Sequence, residues 1–149
     1  MSDRTGADSP PIREYPNCFG CGQENPAGLA LRFEHDGDRL RARFLPEVRY
    51  EGWPGIVHGG IIAALLYEIM ENLPYHQGTV AMMRGMDARL KAPAKIGQEL
   101  RVESWLDDRS GREIAVKSQL RAPDGSLIAQ GTASLVALDQ KQIERLGVV

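Results

Sequence analysis

The sequence predicts an α+β fold, an antiparallel β-sheet built around one long apolar helix. Three observations carry this. Segments on either side of the centre alternate apolar and polar residues with period two, and one central segment changes to a period near four. Turn-forming residues separate the alternating segments closely, as antiparallel hairpins require. The chain has 149 residues, 42% hydrophobic and 26% charged, which suits one globular core that needs no disulfide or structural metal. Its formal net charge of -2 offers no basic field for nucleic acid or an anionic membrane.

Residues 1–16 carry Pro, Asp and Arg without an apolar run and read as a loosely ordered arm. A secretory signal or membrane anchor is not expected there, and the most apolar stretch, residues 61–70, is too short to span a bilayer. Two cysteines in such a chain point to a reducing compartment, so the expected location is cytoplasmic. No repeat or linker divides the rest. The expected organisation is the arm, a single domain over residues 17–140, and a tail over 141–149.

Within that domain, Cys18-Phe19-Gly20-Cys21-Gly22 and Asn25-Pro26-Ala27-Gly28 are dense in turn formers. Leu29, Leu31 and Phe33 alternate with Ala30 and Arg32, and Leu40, Ala42 and Phe44 alternate with Arg39, Arg41 and Arg43. With Asp36-Gly37-Asp38 between them these read as a hairpin. After Gly52-Trp53-Pro54-Gly55 and His58-Gly59-Gly60, the residues Ile61, Ile62, Leu65, Leu66, Ile69 and Leu73 form one helical stripe, which Pro74 is expected to close. Residues 80–90, then Leu100, Val102 and Leu106, then Ile114, Val116 and Leu120, then residues 128–138 read as strands. Arg109-Ser110-Gly111-Arg112 and Pro123-Asp124-Gly125 turn the chain between them. A short helical or frayed end follows Asp139. One apolar helix cannot cover both faces of such a sheet, so the sheet is expected to wrap the helix and to pair with a second subunit.

Gly52-Trp53-Pro54-Gly55-Ile56-Val57-His58-Gly59-Gly60, followed by the apolar helix, resembles the signature of hotdog-fold thioesterases of the phenylacetate-pathway and human thioesterase-like type. The Cys18 to Gly22 and Asn25 to Leu29 motifs are similar to the N-terminal motif of one large subgroup, and residues 89–97 to the family's basic strand. The resemblance spans about residues 18 to 138. It implies an acyl-CoA (or acyl-carrier-protein) thioester hydrolase with a hotdog fold. Its pocket would lie at the interface of a homodimer or homotetramer, and it would use no cofactor, nucleic acid or membrane.

Two glycines at a helix start let an acyl group approach N–H donors that have no partner inside the helix. Such donors suit the oxyanion formed when a thioester carbonyl is attacked. By resemblance Gly59 is that donor, with His58 and Gly60 shaping the site. The chemistry also needs a carboxylate as nucleophile or as base for water. The family's acid falls on Tyr67, whose phenol is a poor base at neutral pH, so Glu68 or Glu71 is expected to supply the carboxylate while Tyr67 contacts the acyl or attacking group. Met82 and Met83 stand where the family has a hydroxyl donor and read as an adaptable pocket wall, with Trp53 adding apolar surface. Arg84, Arg89 and Lys91 are candidates for the phosphates of coenzyme A.

The departure at Tyr67 keeps two rivals open. One is a lyase or isomerase in which Tyr67 donates a proton, and the other is an acyl-thioester binder without turnover. Cys18 and Cys21 have the spacing of half a zinc knuckle without an evident second ligand pair. They are therefore read as a turn with buried thiols, and no metal site is expected. His35 and His58 would join them only if the fold brought them close.

Overall fold

The computed structural model of the chain describes residues 15–148; the expected arm lies outside these but for Tyr15 and Pro16. Six strands form one antiparallel sheet: β1 Glu34–Asp36, β2 Arg39–Phe44, β3 Ala81–Leu90, β4 Leu100–Ser110, β5 Glu113–Arg121 and β6 Leu127–Ala137. Their order across the sheet is β1-β2-β4-β5-β6-β3. The central helix α1 spans Gly59–His76, and a short helix α2, Gln140–Leu146, ends the described chain. Asp139 starts α2 with a reciprocal capping box to Gln142.

The helix packs on β2 through β6. Its apolar stripe, Ile62, Leu65, Leu66, Ile69, Met70 and Leu73, is 3% exposed or less, each side chain worth roughly 1.5–3 kcal/mol of burial. Facing it are Leu40, Leu100, Val102, Val116, Leu120 and Leu135 from the sheet. The alternation read from β2 and β5 is the buried-exposed alternation observed.

Three expectations change. Leu29 and Leu31 are buried but lie outside any strand. Their N–H groups donate to Phe19 and Gly20 carbonyls of the cysteine loop, and Ala30 has a positive φ of 50° that breaks an extended run. Pro74 does not close α1, which continues to His76. A proline deletes one N–H donor but not the following ones, and burial of Leu73 and Pro74 holds the last turn in place. Leu106 is exposed although it stays in register opposite the buried Val116; the bulge that follows, between Leu106 and Asp108, ends the regular alternation of β4. Ser104 and Ser118 are buried at mid-strand beside the predicted apolar positions. They face each other across β4 and β5, with Gly131 of β6 opposite Ser118.

Candidate active site

The loop before α1 is fixed at three points. Gly52 N–H donates to the Ile56 carbonyl, Val57 N–H to Ala94 and His58 N–H to Tyr50. His58 is the N-cap of the helix, and its Nδ1 accepts from Gly60 N–H at 2.9 Å. That bond puts the proton of a neutral ring on Nε2. A Cβ on Gly60 would stand 3.0 Å from Nδ1, so the glycine is what lets the ring cap the helix. Ile61 and Ile62 both donate to the His58 carbonyl. Gly59 N–H is left without an acceptor among the described residues, at the positive end of an 18-residue helix. It opens on a cleft of about 820 Å³ walled by Trp53, His58, Ile62, Leu90 and Lys91. This is the geometry of an oxyanion donor.

At the other end of the helix, Glu71 lines a cavity of about 340 Å³ with Asn72, Tyr75, Met82 and Tyr15. Among the described residues its Oε2 is buried without a partner. Burial first, then the charge of Glu68, pushes the Glu71 carboxyl up to about 7. Tyr67, one turn earlier, is 37% exposed. Burial and the two neighbouring glutamates hold its phenol above the usual range, so it remains a hydrogen-bond donor.

Glu68 turns elsewhere. Its carboxylate lies against Gly20, where a Cβ would stand 2.0 Å from Cδ, and its ligand oxygen shares a 4.8 Å cluster with the sulfurs of Cys18 and Cys21. Asn72 donates to Glu68 Oε2 at 3.2 Å.

The structure thus divides the predicted residues. Trp53, His58, Gly59 and Lys91 share the cleft at the helix start; Glu71 and Met82 share the cavity near its end; Glu68 belongs to the cysteine loop. Arg89 and Lys91 line different clefts: Lys91, one residue past the end of β3, lies by the helix start, while Arg89 pairs with Asp87 at 2.7 Å beside Trp105 and Lys117. Arg84 is the extra residue of a bulge between Met83 and Gly85 and is exposed. Neither candidate histidine joins the cysteines, since His58 caps the helix and His35 lies 5.2 Å from the His76 ring. Leu90 was not among the predicted residues, yet its Cδ2 would lie 3.3 Å from a Cβ on Gly59. Asn72 was also missed, although it stands four residues after Glu68, a spacing that itself signals a helical pair.

A six-stranded antiparallel sheet wrapped on one long helix, with a His-Gly-Gly turn at the helix start, is the hotdog fold. Among solved structures, a thioesterase superfamily protein superposes with a TM-score of 0.76 at 26% identity, covering 83% of this chain. The present chain spans 63% of the length of that relative. Zebra fish thioesterase superfamily member 2 superposes at 0.67 with 20% identity, covering 79% of this chain and 87% of the other. A hypothetical thioesterase protein from Streptococcus pneumoniae, solved with coenzyme A, gives 0.69 at 13% identity over 74% and 87%. No protein-family model and no curated protein matches the sequence. Among the described residues, no helix is long and apolar enough to cross a membrane.

Proposed function

We propose that the chain is an acyl-CoA (or acyl-carrier-protein) thioester hydrolase whose carboxylate is Glu71 and whose site is completed by a second copy. The observation that carries this is the buried Oε2 of Glu71, unpartnered among the described residues, on a carboxyl raised to about 7. A group tuned near the working pH takes and returns protons most effectively. The coenzyme A in the Streptococcus pneumoniae neighbour supports the thioester class.

Gly59 and Glu71 cannot serve one carbonyl within a chain. Twelve helical residues separate them by about 18 Å, against about 3 Å for reacting groups. The arrangement of β3 supplies the remedy. It is an edge strand, its end at Leu90 lies by Gly59, and its start at Met82 lies by Glu71. A two-fold axis through its middle therefore carries the partner's helix start toward Glu71. Exposed Met82, Met86 and Leu90 would be covered by that pairing.

In the proposed reaction, ionised Glu71 accepts a proton from water and the oxygen adds to the thioester carbonyl. The oxyanion is held by the Gly59 N–H of the second copy, with Tyr67 as an additional donor. Collapse breaks the C–S bond, and the leaving thiolate takes the proton from Glu71, releasing free acid and thiol. The test is thiol release from short, long and aromatic acyl-CoAs, with Glu71→Gln expected to lower turnover ~10²–10⁴-fold. No hydrolysis across the panel overturns the reading. Mass analysis of the thioester separates the rivals: an altered but intact thioester means a lyase or isomerase, and saturable binding of unchanged thioester means a binder.

A further inference from the structure

We infer that Cys18, Cys21 and Glu68 form a zinc site that clamps the N-terminal loop onto the central helix. Two of the groups share one loop and the third comes from a helix far along the sequence, and one ligand atom of each lies within 4.8 Å of the others. Ligands on a tetrahedral zinc, with Zn–S near 2.3 Å, stand about 3.8 Å apart, so closing on an ion takes sub-ångström movements. Two sulfurs and a carboxylate are donors that zinc accepts, and the mixed set disfavours the all-oxygen cations. A fourth tetrahedral position remains for solvent.

The loop has the build of a metal knuckle. Cys21 N–H points to Cys18 Sγ at 3.5 Å, and Gly22 N–H donates to the Cys18 carbonyl at 2.9 Å. Any side chain on Gly22 would meet Cys18 backbone atoms at 2.5 Å. Gly20 is the cradle for Glu68, since a Cβ there would stand 2.2 Å from Oε2. These close approaches keep three acidic groups together, half-buried or more. Yet no ion pair of the described residues reaches Glu68. A divalent cation would replace the protons and offset most of the negative charge of the cluster.

The test uses the full chain, purified under reducing conditions and dialysed with zinc and then against buffer. Elemental analysis is expected to give one zinc per chain, and both cysteines should resist alkylation until a chelator is added. Cobalt(II) in place of zinc should show thiolate-to-metal charge-transfer absorption, lost in Cys18→Ser and Cys21→Ser. Glu68→Gln, which keeps both thiols, should weaken zinc binding by at least about tenfold. Three results overturn the site: no retained zinc with both thiols freely alkylated, a Cys18–Cys21 disulfide in the reduced preparation, or unchanged zinc content in Glu68→Gln and the double serine variant. The alkylation readout on the unaltered chain stands even if a serine variant fails to fold.

Discussion

The Ser104 hydroxyl donates to the main-chain carbonyl of Ile69 at 2.6 Å, joining the middle of β4 to the middle of α1. Beside it Ser118 is equally buried, but its Oγ has no partner among the described residues. The two serines should therefore respond oppositely to the same change. Ser104→Ala is expected to cost about 1 kcal/mol, while Ser118→Ala is expected to be neutral or stabilising. Urea midpoints at constant m separate the two; equal losses would contradict the bonding pattern.

Glu71 ties pH to both rate and stability. Its carboxyl is raised to about 7, mainly by burial and secondarily by Glu68 on the same helix, with the Met83 N–H of β3 opposing; Tyr67 also faces it. A base must be ionised, so kcat/KM should rise with pH up to about 7 and level above. The sign for stability is the reverse. The fold favours protonated Glu71, so its contribution is complete below the unfolded value near 4.5 and declines as pH rises through 7. Glu71→Gln should remove the acid limb of the residual rate and raise Tm relative to the parent more at pH 8 than at pH 5. A Tm difference independent of pH would count against the raised carboxyl.

Gly59→Pro isolates the oxyanion donor. Proline is tolerated at the first helical position, where its missing N–H bonds nothing in the helix, and His58 already has the ψ of 134° that a following proline demands. Turnover should fall ~10²–10³-fold with little change in Tm. Preserved turnover would show that the oxyanion is held elsewhere.

The pairing through β3 is exposed to a single charge. Met86 lies near the centre of that edge strand and is 36% exposed. Met86→Lys places two ammonium groups together across the proposed axis. Sedimentation should then show monomers, and hydrolysis should be lost with the dimer. A dimer that survives this change pairs through another surface.

How much of this the sequence discloses depends on the kind of signal. The helical stripe from Ile62 to Leu73 and the alternation of β2 and β5 are periodic, and periodicity is imposed by burial itself, so these elements were legible. Leu29 and Leu31 show why alternation alone misleads: they are buried by pairing with the cysteine loop, a contact no local pattern encodes. Ser104 and Ser118 sit at core positions where hydropathy expects apolar residues. The helix start was readable because caps and glycines act over a few residues. The partition of Glu68 from Glu71 was not, because it depends on Gly20, nearly fifty residues earlier in the chain.

The length of α1 between Gly59 and Glu71 has a genetic consequence. If each centre borrows its donor from one copy and its base from the other, defects in the two parts need not be equivalent. Gly59→Pro and Glu71→Gln chains, each inert as a homodimer, would on mixing give hybrids in which one centre carries both lesions and the other carries neither. Random exchange makes half of the pairs hybrids, so about a quarter of the parental centres would return. Two inactive alleles would complement each other.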